Sequence, residues 1–248
     1  MLPLRDRNPT VRKPVITIAL IIANVAVFLL IQKGGTLGER DDTTLTYEHA
    51  AIPCEITQEH PLTEHEIIND DCTDTGRSPE VFPDKSVLLS VFVSMFLHGG
   101  WLHLGGNMLF LWVFGNNVED KLGWFFYLLL YLVGGAVAMA TQVAADPSST
   151  VPVIGASGAI ATVMGAYLVW FPRARVLTVI LIFFIFPFEL PAWIVLSVWF
   201  VLQFFTGPSS DVAYMAHVGG FVFGVVVAAL VRNTDWWRRR NRPVYRWI

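Results

Sequence analysis

The sequence predicts an all-α polytopic membrane protein, built as a bundle of six transmembrane helices. Three observations carry that expectation. The 248 residues are 54% hydrophobic and only 15% charged, whereas soluble domains carry more charge and cannot hide so much apolar surface. Apolar stretches close to the roughly 20 residues that a helix needs to cross the hydrocarbon core recur along the chain. The basic residues between them fall on one side of a membrane if the spans number six.

Residues 1–14 read as a cytoplasmic tail, because Arg5, Arg7, Arg12 and Lys13 precede the first apolar run. That run, 15–32, is the first transmembrane helix. The tail is too polar and proline-rich for a signal peptide and no cleavage site follows, so the helix is expected to be retained. Residues 33–100 form an extracytoplasmic acidic insert and first loop, with Glu39, Asp41, Asp42, Glu55, Glu59, Glu64, Glu66, Asp70, Asp71 and Asp74 among its carboxylates. Both cysteines, Cys54 and Cys72, lie there. In an oxidising compartment they are expected to pair and to steady a segment with little core of its own. His49, His60 and His65 share the insert and read as part of a solvated acidic surface.

Helices two to six are expected at 101–118, 122–142, 154–171, 191–206 and 213–231. The apolar stretch 176–206 exceeds one span, and Pro187 and Pro191 disfavour an unbroken helix through it. Residues 176–187 therefore read as an interfacial or re-entrant segment. Lys121, Arg173, Arg175 and the cluster Arg232, Arg238, Arg239, Arg240, Arg242 and Arg246 then share the cytoplasmic side, with Trp236, Trp237 and Trp247 as an interfacial belt. The tail 232–248 is basic and cytoplasmic. Charge is segregated across the membrane, so the net charge of −3 implies no nucleic-acid partner. The expected setting is a prokaryotic plasma membrane, spanned several times, with both termini cytoplasmic.

Two polar residues in apolar surroundings suggest chemistry, since polar groups at membrane depth are costly. Ser157 sits in Gly155-Ala156-Ser157-Gly158 at the head of helix four, and His217 in Ala216-His217-Val218-Gly219-Gly220 at the head of helix six. Brought together, they would form a nucleophile and its base. Ala161 and Gly165 extend the serine face and Gly220 and Gly224 the histidine face, so small residues would let the two helices approach closely. His103 and Asn107, four apart on helix two, share one face and suit an oxyanion, as does the Ser157 N–H at a helix start. No Asp or Glu lies in helices two, four or six near this level, so the expected unit is a dyad. No phosphate loop or H-E-x-x-H appears, and neither cofactor nor metal is expected.

Together these residues resemble the rhomboid intramembrane serine proteases. Ser94-Met95-Phe96-Leu97-His98-Gly99-Gly100-Trp101-Leu102-His103-Leu104 with Asn107 resembles the family's first-loop and helix-two signature. Gly115-Asn116-Asn117-Val118-Glu119-Asp120-Lys121-Leu122-Gly123 is similar to its next turn. The Ser157 and His217 segments match its nucleophile and histidine motifs. The resemblance implies a rhomboid-like bundle whose catalytic core is 101–231, with Ser157 attacking, His217 as base, and His103, Asn107 and the Ser157 N–H on the oxyanion. Gly155 would line the backbone beside them. It also implies single-span transmembrane substrates, cleaved within the lipid bilayer near its outer face through an acyl-enzyme.

Two positions depart from the family pattern. Ala161 stands where many members place an aromatic against the catalytic histidine, and Leu89-Ser90 where many have Trp-Arg. The orientation of His217 must then come from another source. Two rival readings are a non-catalytic membrane chaperone or binder on the same scaffold, and a metal or ion transporter using His98, His103 and His217. The second suffers from the lack of partnering carboxylates in the bundle.

Overall fold

The computed structural model describes residues 2–35, 39–73, 78–181, 185–205, 212–234 and 237. In chain order they form strand β1 (Leu2–Asp6), helix α1 (Val15–Ala26), helices α2 (Glu39–His49), α3 (Pro53–Gln58), α4 (Glu64–Asn69), α5 (Val87–Val93), α6 (Trp101–Leu122), α7 (Trp124–Ala145) and α8 (Ser157–Trp170), strands β2 (Arg175–Leu181) and β3 (Ile185–Pro191), and helices α9 (Ala192–Gln203) and α10 (Tyr214–Arg232).

Helix α8 is the axis of the molecule. Every residue from Ala159 to Tyr167 is buried, with α6, α7, α9 and α10 packed around it. A helix apolar on all sides belongs in an interior. Leu111 and Phe114 of α6, Tyr127 and Tyr131 of α7, Leu196 of α9 and Phe221 of α10 join Ile160, Val163, Met164 and Tyr167 in one core. The tightest approach is between α8 and α10. A Cβ on Gly220 would collide with the Gly158 carbonyl, one on Gly224 with that of Thr162, and one on Gly165 with that of Phe221. Backbone meets backbone there, as small residues permit. The α8 stripe is Gly158, Thr162 and Gly165, rather than the expected one through Ala161.

The all-α expectation needs correction. The segment expected to be interfacial or re-entrant is a hairpin of β2 and β3, and β1 from the N-terminal tail completes an antiparallel sheet in the order β1-β2-β3. The central strand is rich in branched residues (Val176, Thr178, Val179, Ile180) and lacks proline, whereas Pro3, Pro187 and Pro191 occupy the edge strands. Edges are where a missing N–H is tolerated. Asp6 locks the sheet to the bundle: its carboxylate accepts from the Tyr167 hydroxyl at 2.8 Å and from Asn117 Nδ2 at 2.5 Å. Burial pushes the Asp6 carboxyl up to about 6. Nearby, Glu119 accepts from the Ile16 and Thr17 N–H groups at 2.9 and 2.8 Å, satisfying free donors at the start of α1.

By length and composition α7 and α10 can each cross a membrane, and α5 with α6 pass jointly as a pair bent by 83°. The apolar helices spanning Val15–Ile31, α8 and α9 are shorter than a full crossing. Helix α8 starts at Ser157, three residues later than expected, and its 14 residues rise only about 21 Å at 1.5 Å per residue. The apolar loop before it makes up the difference in sequence.

The insert is more ordered than a solvated acidic loop. Cys54 and Cys72 are disulfide-bonded, and Ile52, Cys54 and Leu62 form a small core against Tyr47 and Ile67. Thr63 and Glu66 close a capping box on α4. Glu55 and Lys85 make a buried ion pair at 2.6 Å, their side chains 1% and 2% exposed. Burial pushes the Glu55 carboxyl up and the Lys85 ammonium down, each opposed by the other's charge. Asp74, Trp236, Trp247 and the basic residues from Arg238 onward lie outside the described residues.

Candidate active site

At the end of the bundle away from Asp6, the first turns of α6, α8 and α10 and the last turn of α9 converge. Ser157 opens α8, and its Oγ lies 2.7 Å from His217 Nε2 on α10. The other ring nitrogen, Nδ1, lies 2.7 Å from Oε1 of Gln203, the last residue of α9. Gln203 Nε2 donates to the Trp199 carbonyl at 2.9 Å. The Trp199 ring stands 5.8 Å from the His217 ring, tilted by 41°. An aromatic does flank the histidine, but from α9 rather than from position 161.

His103 occupies the first turn of α6, where the Gly99 N–H donates to its Nδ1 at 3.2 Å. A neutral imidazole carries one N–H, so this contact leaves the proton on Nε2. That nitrogen faces Gly155. Gly155 has φ +115°, and a Cβ there would stand 2.7 Å from His103 Nε2. Glycine is required twice over, for conformation and for room. The Gly155 N–H in turn donates to the Ser94 carbonyl at 2.9 Å.

A cavity of about 460 Å³ opens onto Ser157 and His217, lined also by His103, Gly155, Met139 and Val212. Asn107 is not among its lining residues: it is buried, and its Nδ2 donates to the His103 carbonyl at 2.9 Å. His98 is buried too, its backbone held by reciprocal bonds with the Gln32 side chain at 2.9 Å and its ring 5.1 Å from that of His103. Ser157, His217, His103 and Gly155 thus share one cavity, and Asn107 sits one turn behind it. Sequence reasoning missed Gln203. The signal available was a long amide in an apolar run, the same kind that drew notice to Ser157. Among the described residues, the group with metal-ligand geometry is Cys54, Glu66 and Cys72 in the insert. Its sulfurs are spent on the disulfide and offer no thiolate.

The rhomboid domain model matches residues 85–234, more than half of the chain. This chain belongs to the rhomboid family. Its similarity to the rhomboid protein 1, mitochondrial, of Saccharomyces cerevisiae is 32% identity over 160 residues, covering 62% of this chain and 45% of the yeast protein. The human presenilin-associated rhomboid-like protein, mitochondrial, is 28% identical over 165 residues, covering 63% and 42%. RHOMBOID-like protein 5 of Arabidopsis thaliana is 30% identical over 130 residues, covering 52% and 40%. The rhomboid chain therefore matches less than half the length of these relatives. All the cavity residues named above fall inside the matched segment, and most of the acidic insert precedes it.

The relatives correct the expected location. Those from yeast, fish and mammals carry mitochondrial names, so a prokaryotic plasma membrane does not stand. The distribution of Arg and Lys orients a chain across whichever membrane holds it, and it carries no information on which membrane that is.

Proposed function

We propose that the protein is an intramembrane serine endopeptidase that cleaves transmembrane protein substrates through an acyl-enzyme. The observation that carries this reading is the 2.7 Å contact between Ser157 Oγ and His217 Nε2 at the mouth of a cavity in an otherwise apolar bundle. His217 Nε2 takes the hydroxyl proton as Oγ attacks the scissile carbonyl carbon. The negative charge on the carbonyl oxygen meets the Ser157 N–H and His103 Nε2–H. Collapse of this intermediate breaks the C–N bond, and His217 returns its proton to the leaving amine. Water then attacks the ester by the same path and frees Ser157.

Six crossings remain our reading of the topology. The outward residues Val222, Val226 and Leu230 of α10, and Leu129 and Val133 of α7, are exposed, as suits lipid contact. The short helix α8 would complete its crossing with residues 152–156, which are half-buried or buried beside it, where irregular backbone is tolerated. The cavity then opens on the side bearing the insert, so cleavage falls near that face of the bilayer. An ion pathway through His98, His103 and His217 finds no support, because both His217 nitrogens are engaged, by Ser157 and Gln203.

A fluorophosphonate probe tests the proposal. The protein in detergent micelles should be labelled, and Ser157→Ala should not. Equal labelling of both, or no cleavage of any member of a panel of single-span proteins by the labelled enzyme, would remove the assignment.

A further inference from the structure

The serine and histidine are held by a third side chain. We propose that Gln203 is the positioning residue of the pair, making the unit a Ser157–His217–Gln203 relay with a neutral amide in the third place. This rests on the serine-protease reading above. The direction of the amide decides what it can do. Its Nε2 donates to the Trp199 carbonyl at 2.9 Å. The opposite orientation would set two oxygens against each other there, so Oε1 is the atom that faces His217 Nδ1 at 2.7 Å. An amide oxygen only accepts, so Nδ1 must carry the ring proton. Nε2 is then the lone-pair nitrogen and faces Ser157 Oγ. That is the one neutral tautomer able to take the serine proton; the other would present an N–H to the hydroxyl and stop the reaction at its first step.

The same contact fixes the ring in space. Ala161 offers no surface to hold it from α8. Trp199 and Gln203 lie four residues apart on one face of α9, so a single helix supplies both a tilted aromatic wall and a hydrogen-bond acceptor. An amide also suits the depth. A carboxylate there would bring an ionic group into a largely apolar bundle at considerable cost, while Gln203 provides the acceptor as an uncharged dipole. Its side chain is nearly closed off from solvent, with the residue 8% exposed. His103 on α6 is the other ionisable group electrostatically close to His217. Ser157 and Gln203 face the ring from α8 and α9, and from α7 Gln142 accepts the neighbouring Ala216 N–H.

The test measures fluorophosphonate labelling rate against pH for wild type, Gln203→Met and Gln203→Glu, with a melting curve for each. Gln203→Met keeps the length and loses the acceptor. It should slow labelling about 10²-fold, short of the roughly 10⁴-fold lost when a soluble triad is left with the wrong tautomer. Gln203→Glu restores an acceptor on Nδ1–H, so it should recover a large part of that rate. Its carboxylate favours the imidazolium, so the acid limb of the profile should move to higher pH. Labelling of Gln203→Met at the wild-type rate with a wild-type profile overturns the assignment. So does an equal slowing of both variants with unchanged profiles and lowered melting, which marks a packing role alone. Failure of the wild type itself to label at Ser157 is a different result, and it strikes the protease reading beneath.

Discussion

Oxyanion support should be unequal between His103 and Asn107. The tautomer of His103 is set by Gly99, and its Nε2 faces Gly155 in the cavity lining, so His103→Ala should lower kcat by on the order of 10²–10³. Asn107 donates one amide N–H to the His103 carbonyl and lies behind the cavity lining, so Asn107→Ala should cost less, and it should act partly by loosening His103. Steady-state cleavage of one transmembrane substrate by both variants checks this ordering; a larger loss for Asn107→Ala would reverse it. Asp6 supports a second expectation. Its folded pKa, about 6, lies above the ordinary 3.8, so between those values the native state keeps a proton that the unfolded chain has released. Stability from this group is therefore full below about pH 4, falls as pH rises to 6, and stays lower above. Asp6→Asn cannot ionise and keeps an acceptor for Tyr167 and Asn117. It should be more stable than wild type at pH 7, by roughly 3 kcal/mol, with the gap closing toward pH 4 in melts taken at matched pH. Ser157 and His217 were legible in the sequence because a polar side chain beside small residues in an apolar run is conspicuous. Gln203 was equally conspicuous by composition, but only the approach of α9 to α10 reveals which nitrogen it touches.

At the scale of elements, the insert depends on a buried charge pair. Lys85→Met leaves Glu55 ionised or forces it to protonate in a closed site, and should cost about 3–5 kcal/mol. The double variant Glu55→Met/Lys85→Met removes both charges and should recover most of that loss. Hydrogen exchange over α3 and α4 reads the difference locally; a double variant as unstable as the single one would mean that the pair itself holds the insert. The sheet shows why some elements escape sequence reading. Residues 176–187 are apolar but for Thr178, and periodicity alone does not separate a buried strand from a buried helix. What decides is the partner Leu2–Asp6, more than 160 residues earlier, which no local window contains. The end of α6 was read too early: the expected span closed at 118, whereas the helix runs on to Leu122, where Gly123, at φ +80°, lets the chain reverse directly into α7.

For the molecule as a whole, the six-crossing reading predicts that the N-terminal sheet and the C-terminal tail share one side and the insert the other. Membrane-impermeant labelling of single cysteines at residue 10 and residue 248, in a chain with the Cys54–Cys72 pair intact, should modify both from the same face of sealed vesicles; labelling from opposite faces would require an odd number of crossings. The insert also reaches the chemistry. Ser94 receives the Ala51 N–H on its hydroxyl at 2.6 Å and the Gly155 N–H on its carbonyl, and the Val153 N–H bonds the Ala51 carbonyl at 2.8 Å.

That shared serine bears on how such a chain can be altered by evolution or by design. The acidic segment resembles a cassette, a disulfide-closed unit spliced between two helices, which ought to be exchangeable among relatives. Yet the backbone leading to Gly155 is stitched to it through the Ser94 hydroxyl and the Ala51–Val153 bridge, and also through the Cys54 N–H on the Ser149 carbonyl and the Thr57 hydroxyl on that of Pro147. A chimera that transplants the cassette alone inherits a loop shaped for a different neighbour. One that carries residues 147–155 and Ser94 along with it moves these contacts together.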